Sequence, residues 1–132
     1  MRFKHRAQVS DVFAAAHTLR GTGGPCARNH GHNWRVTVVV EADELDEHGM
    51  VVDFLALKAG LRRVLDRYEH RDLNEIEPFD ALLNPTAENV AKTIAEALVG
   101  QVDFPGSLVE VRLAEAEGME ASVRIVDDEA GS

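Results

Sequence analysis

The sequence predicts an α+β fold in which two strands, two helices and two further strands follow one another along the chain. Three observations predict it: β-branched or apolar segments near the start, two segments with helical apolar spacing, and two alternating segments around Gly118. A length of 132 residues fits one compact domain, expected over residues 1–126, with residues 127–132 as a flexible tail.

The first two strands are expected to flank a glycine-rich loop. The segment Phe3 to Ala15 is moderately apolar and lacks helix-capping signals, which favours an extended strand. Four glycine or proline residues punctuate Thr18 to Asn29, so this stretch is predicted to be a loop. The β-branched run within Trp34 to Glu41 predicts the second strand, beginning near Gly31.

Two amphipathic helices are expected next. Asp53 stands where an N-cap would stand before a helix that reaches about Tyr68. Its predicted buried stripe consists of Phe54, Leu57, Leu61, Val64, Leu65 and Tyr68. Residues 71–84 look irregular, and Thr86 then caps a helix over residues 87–99 that Gly100 ends.

The chain closes with two strands. Val109, Val111 and Leu113 alternate with polar neighbours, and Ala121 to Val126 alternates again after a turn at Gly118. An antiparallel sheet with both helices on one face leaves its other face to be covered, and another subunit is the obvious source for so short a chain. We therefore expect a homo-oligomer.

Composition excludes several classes of protein. The net charge of -9 repels nucleic acid and anionic lipid, so neither is expected as a partner. No apolar run approaches the roughly 20 residues of a membrane helix, and the N-terminus lacks a signal-peptide core, which predicts a cytoplasmic location. The single cysteine, Cys26, cannot form an internal disulfide.

Three histidines are candidate metal ligands. His30 and His32 are two apart on a predicted strand, so both side chains point to one face about 6.6 Å apart at the backbone. His17, at the end of the first strand, can supply a third nitrogen if the two strands pair. Three histidines leave zinc an open position, as in catalytic sites. The alternative interpretation is surface or capping histidines.

Other polar residues allow both a functional and an ordinary interpretation. Cys26 can close a metal site, act as a base or nucleophile beside it, or simply be a small buried side chain. Glu69 precedes His70 and can hold the tautomer of its imidazole for proton transfer, although a solvated helix end explains the same pair. A lone Glu115 on a strand can merely face water.

Five ordered motifs resemble one enzyme family. They are Ala15-Ala16-His17, Cys26-Ala27-Arg28-Asn29-His30-Gly31-His32-Asn33, Gly49-Met50-Val51-Val52-Asp53-Phe54, His70-Arg71-Asp72-Leu73-Asn74 and Asn84-Pro85-Thr86-Ala87-Glu88-Asn89. Together they resemble the 6-pyruvoyl-tetrahydropterin synthase and 6-carboxy-tetrahydropterin synthase family. The resemblance implies the tunnelling fold, whose subunits join their sheets into a barrel, usually as a hexamer of two trimers.

The resemblance also implies roles for individual residues. His17, His30 and His32 match the zinc ligands. Cys26 and His70 match the catalytic thiol and histidine, and Glu69 stands where the family usually has Asp, one methylene shorter. Glu115 resembles the acid that anchors the pterin, and Ala116 follows it where Thr is common. Thr86 and Glu88 match a second pterin-side motif, although a helix cap alone explains Thr86.

The implied substrate is 7,8-dihydroneopterin triphosphate. The motif spacing looks most like the carboxy branch, which releases acetaldehyde and triphosphate, leaves 6-carboxytetrahydropterin and feeds queuosine biosynthesis. Three alternatives remain: the 6-pyruvoyl sibling, a folate-pathway variant that forms a hydroxymethyl pterin, and a non-catalytic zinc-binding or pterin-binding member. In the folate-pathway variant a Glu tends to precede the HGH motif, and here residues 27–29 read Ala-Arg-Asn.

Overall fold

The computed structural model describes residues 1–101 and 106–126 and confirms the predicted order of elements. The elements are β1 (His5–His17), β2 (His30–Ala42), α1 (Phe54–Leu65), β3 (Arg71–Asp72), α2 (Ala87–Val99), β4 (Ser107–Ala116) and β5 (Met119–Arg124). The two-residue strand β3 lies in the stretch that the sequence predicts to be irregular. The expected tail at residues 127–132 lies outside the described residues.

The strands form one open sheet in the order β3-β1-β2-β4-β5. β1 and β2 make an antiparallel hairpin whose last pairs are Ala15 with His32 and His17 with His30. The ladder continues to the two histidines at the mouth of the hairpin, so the expected position of His17 at the end of the first strand and of His30 at the opening of the second is confirmed. β3 runs parallel to β1 and pairs with Ala15 and Ala16 alone.

Side-chain caps fix the start of both helices. The Asp53 carboxylate accepts hydrogen bonds from the backbone N–H groups of Leu55 and Ala56. The Thr86 hydroxyl accepts one from Asn89 N–H, and α2 ends at Gly100. Each cap satisfies donors that have no partner within the helix, which stabilises such a terminus by about 1 kcal/mol. Both predicted N-caps are therefore confirmed.

Both helices pack on the same face of the sheet. The apolar core lies between the helices and that face. Phe13 of β1 stacks on Trp34 of β2 with ring centroids 5.8 Å apart, and Tyr68 tilts against the same Phe13. Leu61 and Val64 of α1 are fully buried in this core. The helical stripe predicted from the sequence is thus largely correct.

Phe54 is the exception to the predicted stripe, because 57% of its surface is exposed. It is the first residue of α1. It lines a surface cavity of about 480 Å³ together with Leu45, Met50 and the first residues of β1. Correct helical spacing alone therefore does not ensure that a side chain is buried.

In the part of the chain that the structure describes, neither helix has the length and apolar character needed to cross a bilayer.

Candidate active site

Three histidine side chains converge where the β1–β2 hairpin opens. The ligating nitrogens of His17, His30 and His32 all lie within 4.8 Å of one another. The antiparallel register produces this arrangement, since His17 is paired with His30 and His32 follows two residues later on the same face. The expected cluster of three histidines is therefore formed in the fold, and it can hold a metal ion.

Backbone carbonyls orient two of the rings. His17 Nδ1 donates to the carbonyl of Pro85 at 2.8 Å, and His30 Nδ1 donates to the carbonyl of Arg28 at 2.7 Å. Because a carbonyl oxygen can only accept, each Nδ1 carries a proton, and the neutral form of each ring then presents its lone pair on Nε2. Such outer hydrogen bonds commonly fix the tautomer of metal-binding histidines.

The cluster also contains polar atoms that need a partner. Among the described residues, the buried side-chain nitrogens without a hydrogen bond are His17 Nε2 and His32 Nε2. Leaving a buried acceptor unpaired costs about 1–3 kcal/mol, so two such atoms facing one point fit a bound cation. The donor set, three imidazoles and no thiol, suits a divalent transition metal.

Burial disfavours the protonated form of two of the imidazoles. It lowers the pKa of His17 below its ordinary value of 6.5, outweighing the Pro85 hydrogen bond and the nearby Glu115 charge. Burial also lowers the pKa of His32. A neutral imidazole is the form that binds metal, so both shifts favour metal binding over protonation at these two residues.

Trp34 forms one wall of the cluster. Its indole meets His17 and His32 edge to face, with centroids 4.8 and 5.3 Å away, and its Nε1–H donates to Ala15 O. The sequence predicts Trp34 to lie in a strand, and no role at the site was expected for it. Its position two residues after His32 was the available signal, because alternate strand residues share a face.

Two asparagines fasten the chain that follows His17. Asn74 pairs its side-chain amide with the backbone N–H and C=O of Thr18, at 2.8 and 2.9 Å. Asn84 does the same for Arg20, at 2.8 and 3.0 Å. These contacts attach the loop to the segment that contains Pro85, whose carbonyl accepts a hydrogen bond from His17. Both asparagines belong to the family motifs, but no role was expected for either from the sequence.

Glu115 is the nearest carboxylate to the cluster. Its oxygens lie 4.0 Å from His17 Nε2 and 3.7 Å from His32 Nε2. The side chain is about one-fifth exposed, so it stands between the buried histidines and solvent. The β4 register places it there, although the sequence alone left it as a possible surface residue.

Cys26 lies in a short 3-10 turn, Pro25–Ala27, and is exposed. It is not part of the three-histidine cluster, so the geometry does not support its alternative role as a fourth ligand. The carbonyl of Cys26 accepts from Leu19 N–H at 3.0 Å, which closes the loop. Further along, Asn29 donates to Asp72 Oδ2 at 2.7 Å and ties this loop to β3.

His70 occupies the turn between α1 and β3 with a φ of 59°, in the left-handed region. A residue other than glycine in a sparsely populated backbone region costs about 1–3 kcal/mol, and such residues concentrate at functional sites. The His70 N–H donates to Ala14 O at 2.6 Å. Its neighbour Glu69 accepts from Ala14 N at 2.6 Å and from Arg62 at 2.9 Å.

His70 lines a surface cavity beside the hairpin mouth. The cavity has a volume of about 560 Å³, and its other lining residues include His32 and the small residues Ala14, Ala16 and Gly31. Ala14, Ala16 and Gly31 alternate along their strands with Ala15, His17 and His32, so they lie on the sheet face opposite the three clustered imidazoles. Within one chain, His70 therefore opens onto the outer sheet face, whereas the histidine cluster lies on the face that packs against the helices.

The residues expected on the second pterin-side motif lie at the start of α2. Thr86 is half-buried and its hydroxyl caps the helix, while Glu88 is exposed in the first turn. The contact of this segment with the histidine cluster is made by the preceding residue, Pro85, through its carbonyl. Substrate contact by Thr86 and Glu88 stays a prediction.

The sequence profile of 6-pyruvoyl tetrahydropterin synthase matches residues 6–125. The chain belongs to this family. The solved structure of the Caenorhabditis elegans 6-pyruvoyl tetrahydropterin synthase superposes with a TM-score of 0.85 at 28% identity, covering 96% of this chain and 99% of that one. The α+β tunnelling fold expected from the sequence is thereby confirmed, whereas closure of the sheet into an oligomeric barrel stays a prediction.

Curated relatives within the family carry more than one activity in their names. The chain is 40% identical over 95 residues to the 6-carboxy-5,6,7,8-tetrahydropterin synthase of Bacillus subtilis, covering 69% of this chain and 63% of that protein. It is 38% identical over 96 residues to the dihydroneopterin monophosphate aldolase of Pyrococcus furiosus, covering 73% of this chain and 76% of that protein. The alignment thus spans less than two thirds of the Bacillus protein.

Proposed function

We propose that this chain is a 6-carboxy-5,6,7,8-tetrahydropterin synthase. It would convert 7,8-dihydroneopterin triphosphate to 6-carboxytetrahydropterin, acetaldehyde and triphosphate within one domain over residues 1–126. The observation that carries the proposal is the cluster of three histidines at the hairpin mouth, in which two Nε2 atoms have no hydrogen-bond partner. The name of the Bacillus subtilis relative supports this branch of the family.

We propose Zn²⁺ as the ion held by His17, His30 and His32. Three neutral imidazoles with one open side are the usual ligand set of catalytic zinc. The two orphaned Nε2 atoms are the structural support for an ion at this point. When bound, zinc supplies Lewis acidity to hydroxyl groups of the substrate tail and makes them easier to deprotonate.

The proposed proton-transfer groups are Cys26 and His70, with Glu69 as the acidic neighbour of His70. Proton removal from carbon needs a base held close to the reacting atom, and positioned side chains contribute about 10²–10⁴-fold. The Asn29–Asp72 hydrogen bond supports a joint role, because it joins the Cys26 loop to the segment that follows His70.

We propose Glu115 as the pterin anchor, with Thr86 and Glu88 as further substrate contacts. A carboxylate can accept two parallel hydrogen bonds from an amino group and a ring N–H of the pterin. Its place beside the cluster, about 4 Å from two histidine nitrogens, supports a ligand that spans the anchor and the metal site.

We infer that the working protein is a homo-oligomer, a hexamer of two trimers, located in the cytoplasm. The sheet supports this proposal because it is open at both edges in the described residues. β3 pairs only with Ala15 and Ala16 of β1. The segment His5 to Ser10 therefore has β2 on one side and, among the described residues, no strand on the other side. Unpaired strand edges are templates for pairing with another chain.

A dihydroneopterin aldolase that leaves a hydroxymethyl pterin is the second candidate. The name of the Pyrococcus furiosus relative favours it. The loop before the two histidines argues against it, because Ala27, Arg28 and Asn29 supply no carboxylate there. The two activities differ in the carbon chain left on the pterin, so product analysis separates them.

The deciding experiment incubates the zinc-loaded protein with 7,8-dihydroneopterin triphosphate and analyses the products by mass spectrometry and an acetaldehyde assay. A carboxypterin with acetaldehyde is the expected result. A pyruvoyl pterin without acetaldehyde would assign the sibling activity, and a hydroxymethyl pterin the aldolase. Absence of turnover with the triphosphate, and also with the monophosphate that the name of the Pyrococcus relative specifies, would leave a non-catalytic binding protein as the better description.

A further inference from the structure

Arg62 of α1 reaches across to the edge of β1. Its guanidinium donates to the carbonyl of Val12 at 3.0 Å and to Glu69 Oε1 at 2.9 Å. It also pairs with Asp11 at 3.4 Å and with Asp66 at 2.9 Å. Arg62 is about one-third exposed, and the surrounding carboxylates raise its pKa although burial alone would lower it.

Glu69 completes the connection between the helix and the strand. One carboxylate oxygen accepts from Arg62, and the other accepts from the backbone N–H of Ala14 at 2.6 Å. Neither partner is the imidazole of His70. The carboxylate is therefore committed to fixing the backbone rather than to hydrogen bonding with the neighbouring ring.

The connection meets His70 at one residue of β1. Ala14 donates its N–H to Glu69, and its carbonyl accepts the N–H of His70 at 2.6 Å, so both residues of the turn are tied to the same residue of β1. β3 does not pair with this part of β1, which leaves these backbone groups open to side chains. A left-handed backbone at His70 persists only when surrounding contacts determine it.

We propose that Arg62 and Glu69, acting through Ala14, form a clamp that holds His70 in its left-handed conformation and fixes the direction of its imidazole at the surface cavity that Ala14 and Ala16 also line. Arg62 and Glu69 are then positioning residues, and Glu69 carries no proton to or from the substrate. This inference deepens the proposed function and rests on His70 acting there. The clamp also explains why position 69 is Glu rather than the shorter Asp. The additional methylene lets the carboxylate accept hydrogen bonds from Arg62 and from the backbone N–H of Ala14 at the same time.

The first test compares Arg62→Met with Arg63→Met, which alters the next residue on the same helix. Arg63 contacts Gln101 on another side of α1, so it is a control matched in charge and helix position. We expect Arg62→Met to lower kcat by about 10- to 100-fold, the scale of a displacement of about 1 Å, with KM changed less than about threefold. Arg63→Met should leave both constants unchanged.

The second test is Glu69→Asp, which restores the family's usual residue. If the carboxylate served only the neighbouring ring, this variant would keep or improve kcat. The clamp predicts a loss of kcat instead, because the shorter side chain cannot reach Arg62 and Ala14 N together. A double variant, Arg62→Met with Glu69→Asp, should be no slower than the slower single variant, since both break one connection.

Hydrogen exchange makes the proposal testable without turnover. The amide of His70 should exchange faster in Arg62→Met and Glu69→Asp than in wild type, while Arg63→Met should match wild type. Should Arg62→Met fail to fold, Arg62→Lys keeps the charge and one contact and should give an intermediate kcat.

Wild-type kcat and exchange in Arg62→Met, or wild-type kcat in Glu69→Asp, would overturn the clamp. A wild-type protein that never turns over the pterin would instead refute the proposed function, and the exchange data would still decide whether the clamp exists.

Discussion

The two halves of the candidate site are held by different means. The histidine cluster lies inside the hairpin mouth, where strand register and backbone carbonyls place every ring. His70 and Cys26 are exposed, one in a strained turn and the other in a 3-10 turn, and side chains tie these segments to the sheet. The β1–β2 register is set by many residues together. Each attachment of the turns to the sheet, in contrast, depends on hydrogen bonds from one or two side chains.

The two halves of the site should therefore respond differently to the loss of a single side chain. A metal site built on paired strands is stiff, because moving one ligand means breaking a ladder of hydrogen bonds. Proton-transfer groups on turns can adjust to a substrate, but a single lost attachment misplaces them.

Cys26→Ala tests the exposed half. We expect turnover of the pterin to fall by about 10²–10⁴-fold, because a positioned proton-transfer group is removed. Metal content should stay at the wild-type level, since the thiol lies outside the histidine cluster. Steady-state kinetics together with metal analysis checks both points, and undiminished turnover would remove Cys26 from the mechanism.

His30→Ala tests the buried half. It removes one of three ligands and should weaken metal affinity by more than the roughly 10- to 100-fold that loss of an outer partner costs. Competition with a chromophoric chelator measures the affinity. His48→Ala is the control, because His48 is an exposed histidine in the polar turn after β2. Equal affinities in the two variants would contradict a metal site at the hairpin mouth.

Glu115→Gln probes the boundary between the halves. The change keeps the shape of the side chain but replaces a charged acceptor by a neutral one, whose hydrogen bonds are weaker by about 1 kcal/mol or more. We expect KM for the pterin to rise about tenfold, with metal affinity altered far less. A KM equal to that of wild type would leave the pterin anchor unassigned.

The smallest expected effect is the pH dependence of the free energy of unfolding of the metal-free protein. Burial lowers the pKa of His17 and His32 below 6.5, so the unfolded chain binds protons more readily than the folded one. Stability is then fully present above pH 6.5 and declines as the pH falls through the folded pKa values. Denaturant unfolding with a chelator present, at pH 7.5, 6.5 and 5.5, should show this decline, which a His32→Gln variant should reduce. Stability that stays constant or rises as the pH falls would contradict it.

Local features of the sequence determined much of the fold. The caps at Asp53 and Thr86, the β-branched run of β2 and the alternation of β4 all act over a few residues, so they could be read without knowing the tertiary structure. The chemical types of the site were equally visible, because two histidines separated by one glycine can be recognised at any position. Phe54 shows the limit, since burial depends on what lies opposite.

Only the tertiary structure decided how those residues meet. Pro85 supplies a carbonyl to His17 across 68 positions of sequence, and Glu69 reaches Ala14 across 55. Such contacts depend on register, on which strand edge stays unpaired and on the exact length of a side chain, none of which has a local sequence pattern. The sequence therefore determined the order of elements and the chemical groups, while long-range packing determined which nitrogen is free and which carboxylate is engaged.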